Sequence, residues 1–231
     1  MSTRKRTAIL ISGRGSNMMS LVEAARAPAF PAEIAGVISN RPDAPGIAWA
    51  AERQIATHVV DHKAYADREG FEAAIGKILM NLGAELVCLA GFMRVLTPAF
   101  VQQWQGRMLN IHPSLLPLFP GLHTYERALD AGVKISGCTV HFVAPEMDAG
   151  PIIAQAAVGV RDGDTAESLA QRILQAEHKL YPFALHLAAS GAIRMVNGRA
   201  VVNAAAATSG MDKNPINYDS VLFSPPLSSI G

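Results

Sequence analysis

The run NIHPSLLP places Asn110 two residues before His112, and this spacing is where chemistry first becomes legible in the chain. Side chains two apart on an extended segment point to one face, so a carboxamide and an imidazole stand together. Such a pair can hydrogen-bond a carbonyl oxygen and stabilise it as negative charge develops, while the imidazole carries or releases a proton. The plainer alternative is a histidine that satisfies loop carbonyls. Pro113 and Pro117 stiffen the loop that follows. Further on, His141 lies within the apolar run CTVHFV and Asp148 within the loop PEMDAG. A carboxylate near His112 favours imidazolium and holds it ready for acid–base work. Without that role, His141 is a hydrogen-bonded core residue and Asp148 fixes a turn before Gly150.

Two other segments suit ligands. Gly13-Arg14-Gly15-Ser16-Asn17 follows the first apolar run. Two glycines allow a tight turn with exposed amides, and a helix opening near Ser16 adds its positive dipole end, a combination that suits a phosphate. Met18 stands where a dinucleotide fingerprint has its third glycine, and no Walker lysine follows, so a phosphate monoester fits better than a dinucleotide. The alternative is a tight strand–helix turn with Ser16 or Asn17 as N-cap. Gly91-Phe92-Met93-Arg94-Val95-Leu96 is apolar except for Arg94. It either walls a flat ring or packs on the core with Arg94 in water. His58, His62, His123, His178 and His186 have no metal-ligand spacing, and no metal is expected.

These segments need a scaffold, and the hydrophobic pattern supplies one. Strands are predicted at Thr7–Ser12, Glu33–Ser39, Thr57–Asp61, Glu85–Ala90 and Met108–Ile111. Helices are predicted at about Ser16–Arg26, Gly46–Arg53 and Asp67–Leu82, the last with Phe71, Ala74, Ile75, Ile78 and Leu79 at helical spacing. The alternation implies right-handed crossovers and a parallel sheet, with ligands beyond the carboxyl ends of its strands. The pattern then changes. Cys138–Val143 and Pro151–Val160 read as strands joined by a short loop, and Thr165–Ala189 as a long helix capped by Asp164 and Thr165, with Glu167 following. Asn197-Gly198 marks a hairpin between Ala192–Val196 and Arg199–Val202. The expected fold is α/β: a Rossmann-like, mostly parallel sheet flanked by helices, with antiparallel strands toward the C-terminal half. Residues 1–203 read as one domain and 204–231 as a C-terminal extension without periodicity.

Composition narrows the function. Of 231 residues half are hydrophobic and 17% charged, as in a globular protein with a large core. The net charge of +1 lacks the basic surplus of a nucleic-acid or anionic-membrane binder. No apolar run approaches the roughly 20 residues that span a bilayer. Cys88 and Cys138 form no CxxC pair, which argues against a disulfide framework and suits a reducing, cytoplasmic setting. A dehydrogenase is excluded by the missing third glycine and by Ser39-Asn40-Arg41 where an acidic residue would end the second strand.

ISGRGSN, GFMRVL, NIHPSLLP and GCTVHFVAPEMDAGPII, in this order, resemble the folate-dependent formyltransferases over residues 7 to 200. The GRGSN turn resembles the branch acting on glycinamide ribonucleotide. The resemblance implies formyl transfer from 10-formyltetrahydrofolate to that ribonucleotide's amine in purine biosynthesis. It implies small-molecule substrates only, no nucleic acid, no membrane, no metal, and a monomer or homodimer. By residue, it implies a catalytic trio of Asn110, His112 and Asp148, with the phosphate on Gly13, Arg14, Gly15, Ser16 and Asn17. Glu177 would contact the ribonucleotide. The folate would meet Arg68, Met93, Arg94, Val95, Leu96, Asn110 and the loop Ala144, Pro145, Glu146, Met147 and Asp148. Thr139 and His141 would support the trio from behind. Leu118 departs from relatives that carry a basic residue there, so its loop is given no binding role. The alternatives are a formyltetrahydrofolate hydrolase, a methionyl-tRNA formyltransferase and a non-catalytic folate or nucleotide binder.

Overall fold

The structure, a computed structural model, describes residues 4–203 and the backbone of 221–224. The chain divides into two compact units after Asn110, with Val143–Pro145 returning to the first.

The first unit is a parallel sheet in the order β3-β2-β1-β4-β5, formed by β1 (Lys5–Ile11), β2 (Ala32–Ser39), β3 (Thr57–Val59), β4 (Leu86–Leu89) and β5 (Met108–His112). The last two residues of β5 open the second unit. Helices α1 (Ser16–Ala25), α2 (Pro45–Ala51), α3 (Arg68–Asn81) and α4 (Pro98–Gln103) connect the strands. Parallel strands covered on both faces must be apolar throughout, and Ile9, Leu10 and Val87 have no exposed surface. Phe71, Ile75 and Leu79 on α3 close one core with Leu10, Ile38, Leu89 and Phe100. Asp67 caps α3 by accepting the Gly70 N–H at 2.7 Å. Glu72 on the same helix accepts the Thr97 N–H at 2.6 Å and its hydroxyl, and Thr97 caps α4.

The second unit contains α5 (Thr124–Asp130), the antiparallel pair β6 (Ile135–Phe142) and β7 (Ile152–Gly159), and the long α6 (Ala166–Ser190) packed on both. A hairpin of β8 (Ile193–Val196) and β9 (Arg199–Val202) turns through Asn197 and Gly198, both at positive φ as the two-residue turn requires. Backbone at Val221–Ser224 forms β10, antiparallel to β7. The mostly parallel sheet with flanking helices and added antiparallel strands is thus the expected class.

Several details differ from expectation. Helices α4 and α5 were not anticipated. Thr165 caps α6 as expected, and its partner in the capping box is Ser168. Strand β6 starts at Ile135, before the predicted Cys138. The expected extension 204–231 lies outside the described residues except for β10, which its sequence did not signal. Among the described residues no helix is long and apolar enough to cross a membrane.

Candidate active site

In the first unit, β1 runs into a glycine-containing turn that opens α1. Gly15 precedes α1 in the left-handed conformation (φ 69°), and no side chain caps the helix. The alternative reading, a cap from Ser16 or Asn17, is not realised: Gly15 takes the N-cap position and no side chain caps the helix. Helix α2 presses on the turn from the other side: the Gly46 N–H donates to Gly13 O at 3.1 Å. A Cβ at Gly46 would stand 2.6 Å from Ile11 Cδ1 and 2.9 Å from Arg14 O, so only glycine allows this approach.

The turn borders a cavity of about 530 Å³. Gly13 to Asn17 line it together with Met93 and Arg94, as the sequence suggested for the turn and the apolar wall separately. Arg41 also lines it, and its guanidinium is held by Asp43 at 2.7 Å. Ser12, Asn40 and His62 line it as well and were missed, since only their strand-end positions could have signalled them. Arg68, exposed at the first position of α3, does not border this cavity. Val95 is exposed, whereas Leu96 belongs to the core cluster. Asn110 ends the paired part of β5 opposite Leu89 and is half-buried, as is Ala144 in the same unit, while Pro145 is exposed.

In the second unit three titratable groups converge. The His112 Nδ1 lies 3.3 Å from Asp148 Oδ2, and the His141 Nε2 lies 3.8 Å from Asp148 Oδ1. His112 is 5% exposed, and its Nε2 is 2.9 Å from Phe119 O. That geometry assigns the Nε2 proton to a bond with the carbonyl. The Nδ1 of His141 is likewise 2.9 Å from Phe142 O. Burial pushes the His141 pKa below its ordinary 6.5; the Phe142 carbonyl and Asp148 oppose this, and His112 adds to it. Two adjacent imidazoles cannot both charge cheaply, and burial opposes the charge on His141.

The carboxylate itself is fixed by backbone. Asp148 Oδ2 accepts the Gly121 N–H at 2.8 Å. Asp148 and Phe119 both have φ 53°, an uncommon conformation for a side chain and one that recurs at functional sites. Glu146 and Met147 are exposed beside Asp148. Gly150 touches β6 so closely that a Cβ would lie 1.7 Å from Phe142 O and 3.1 Å from His141 Nδ1.

Behind His112, Thr139 has no exposed surface. Its hydroxyl donates to Ser114 O at 2.7 Å and accepts the Leu116 N–H at 3.0 Å. Gln155 donates to Thr139 Oγ1 at 3.0 Å and to Leu116 O at 2.9 Å. Gln155 was missed, although a single polar residue in PIIAQAAVGV was the available signal. Glu177 on α6 is 5% exposed. Burial, and then the charge of Glu177, raises the pKa of both Tyr125 and Cys138. Among the described residues no three His, Cys, Asp or Glu side chains are placed to hold a metal.

The chain matches the family described as Formyl transferase over residues 5–185. It is 40% identical over 199 residues to the phosphoribosylglycinamide formyltransferase of Haemophilus influenzae, covering 86% of this chain and 94% of that protein. It is 51% identical over 197 residues to the bovine trifunctional purine biosynthetic protein adenosine-3, covering 85% of this chain and 20% of that protein. It spans 14% to 20% of the length of such trifunctional relatives. Among solved structures, the phosphoribosylglycinamide formyltransferase of Brucella melitensis is 56% identical with TM-score 0.79, covering 85% of this chain and all of that one. The glycinamide ribonucleotide transformylase 1 of Symbiobacterium toebii is 44% identical with TM-score 0.83, covering 86% of this chain and 94% of that one. Since the family match runs from β1 well into α6, through the open turn and the His112–Asp148 pair alike, the chain belongs to the formyl transferase family.

Proposed function

We propose that this chain is a phosphoribosylglycinamide formyltransferase, moving the formyl group of 10-formyltetrahydrofolate onto the amine of glycinamide ribonucleotide in purine biosynthesis. The observation that carries the reading is His112 and Asp148 face to face at 3.3 Å, with burial opposing charge on the neighbouring His141. The open turn at Gly13 to Asn17, with uncapped helix amides, suits the ribonucleotide's phosphate. The relatives named phosphoribosylglycinamide formyltransferase support the acceptor and the formyl group.

In this reaction the amine nitrogen attacks the formyl carbon and the resulting tetrahedral oxyanion needs donors. Asn110 and protonated His112 supply them, the latter through the N–H that the Phe119 carbonyl takes in this structure. The bond from carbon to N10 then breaks. The proton lost by the amine passes, with Asp148 sustaining the imidazolium, to N10, so that tetrahydrofolate leaves neutral at that nitrogen. Orientation contributes as well, since effective molarities of well-placed pairs reach ~10⁵ M or more. Met93, Arg94, Val95 and Leu96 would border the pterin ring and Arg68 the benzoyl-glutamate end. The loop Ala144 to Asp148 would close on the ring, and Glu177 would meet the glycinamide.

The deciding experiment follows loss of the formyl group from 10-formyltetrahydrofolate with and without glycinamide ribonucleotide. Turnover that requires the ribonucleotide is expected. Turnover indifferent to it makes the protein a hydrolase and removes the phosphate role from the Gly13–Asn17 turn. No turnover in either mixture leaves a binder in its place.

A further inference from the structure

Beneath the cavity of the first unit lies a chain of buried polar side chains that the proposed chemistry does not use. Ser12 is 6% exposed and Asn40 2%. The Ser12 hydroxyl oxygen accepts the Met93 N–H at 2.7 Å and donates to Asn40 Oδ1 at 2.5 Å. Asn40 in turn meets His62: its carbonyl oxygen lies 2.9 Å and its Nδ2 3.3 Å from the same ring atom, Nδ1.

Backbone bonds already tie these strand ends together. The Ser12 N–H donates to Gly91 O at 3.1 Å, and the Asn40 N–H to Ile11 O at 3.4 Å. The side chains are therefore superfluous for holding the sheet, and leaving any of them unpaired in the interior would be costly. What the Ser12 hydroxyl adds is control of one amide, that of Met93. The Met93 side chain is 69% exposed and lines the cavity, while Ser12 is covalently joined to Gly13, where the phosphate-type turn begins.

At the far end of the chain the His62 Nδ1 faces both the backbone carbonyl and the Nδ2 of Asn40. His62 lines the cavity beside the turn, and Met93 lines it at the other end of the chain. Through one hydroxyl Ser12 thus joins the backbone that begins the turn to the backbone that carries Met93, a contiguous physical link of the kind coupling travels through.

We propose that Ser12, held by Asn40 and His62, is a positioning residue that couples the two ligand positions of this cavity. Filling the Gly13–Asn17 turn with a phosphate monoester sets the Met93 amide and strengthens binding of the folate on the Met93 side, and the converse holds by linkage. The inference rests on the function proposed above.

The test uses the full chain and two ligands, glycinamide ribonucleotide and a stable deaza analogue of 10-formyltetrahydrofolate. Calorimetry gives the analogue's dissociation constant with and without the ribonucleotide. In the unaltered protein the analogue is expected to bind about 5-fold tighter or more when the ribonucleotide is present, the scale of ordinary site coupling. Ser12→Ala is expected to bring that ratio close to one, while the ribonucleotide's own affinity changes far less. Ser12→Thr, which keeps the hydroxyl, is expected to restore the ratio. Asn40→Asp keeps the acceptor for Ser12 but replaces the Nδ2 donor, and its ratio should fall as well; it also serves if Ser12→Ala does not fold. A ratio of one in the unaltered protein, or an undiminished ratio in Ser12→Ala or in Asn40→Asp, overturns the coupling even if formyl transfer is intact. Absence of formyl transfer in the unaltered protein overturns instead the function on which the coupling rests.

Discussion

His112 is placed between a carboxylate and a carbonyl, with Asp148 at Nδ1 and Phe119 at Nε2. The same carboxylate also lies 3.8 Å from His141, where burial opposes charge on the second ring. Replacing the ring removes a general acid and an oxyanion donor together. His112→Ala is accordingly expected to lower kcat/KM by about 10²- to 10⁴-fold, the usual range for a positioned proton-transfer group. Ribonucleotide affinity measured by calorimetry should stay within about 2-fold, because the phosphate turn lies on other residues. Asp148→Asn keeps an oxygen for the Gly121 N–H but removes the charge, so the expected loss of kcat/KM is of the same order with the melting temperature little altered. A variant retaining full activity would take Asp148 out of the reaction. The meeting of His112 with Asp148 was legible in the sequence, because a histidine at a strand end and a carboxylate in a short polar loop were the groups singled out as partners. Ser12 and Asn40 were not. Their partners lie 28 and 81 residues apart in the chain, so only the folded sheet reveals what they hold.

At the level of elements, long periodic segments declared themselves. Helix α3 was legible from its apolar spacing and α6 from its cap, and the Asn197-Gly198 hairpin from turn chemistry alone. Helix α4 was not, since its start is fixed by Glu72, far away in the chain, which holds the Thr97 N–H. Close approaches were equally invisible. Gly150 reads as an ordinary loop glycine, yet it abuts the β6 backbone at Phe142. Gly150→Ala is expected to cost about 3 kcal/mol or more, since rigid backbone must move to admit the methyl group. Gly159→Ala, with open space around the new carbon, should stay within about 0.5 kcal/mol. Thermal or denaturant unfolding of the pair checks the contrast, and equal melting temperatures would refute it.

For the whole molecule, the histidines make stability depend on pH. Burial holds His141, His178 and His186 below their ordinary 6.5. The native state then binds fewer protons than the unfolded chain, so stability rises with pH across this range. It is complete above about pH 6.5 and is lost as pH falls through the lower native values. The melting temperature is expected to drop between about pH 7.5 and about pH 5.5, and His141→Asn to flatten part of that slope. An unchanged slope in the variant would remove His141 from the effect. The last strand carries a consequence of another kind. The backbone of β10 takes up the hydrogen bonds along the free side of β7 from Gln155 to Val158. A chain cut after Asn203 keeps every residue assigned a role here, yet it bares that row of donors and acceptors. Such an edge is a template for another copy of itself. Colloidal stability, rather than catalysis, is what the shortened protein is expected to lose, and light scattering at rising concentration would record it.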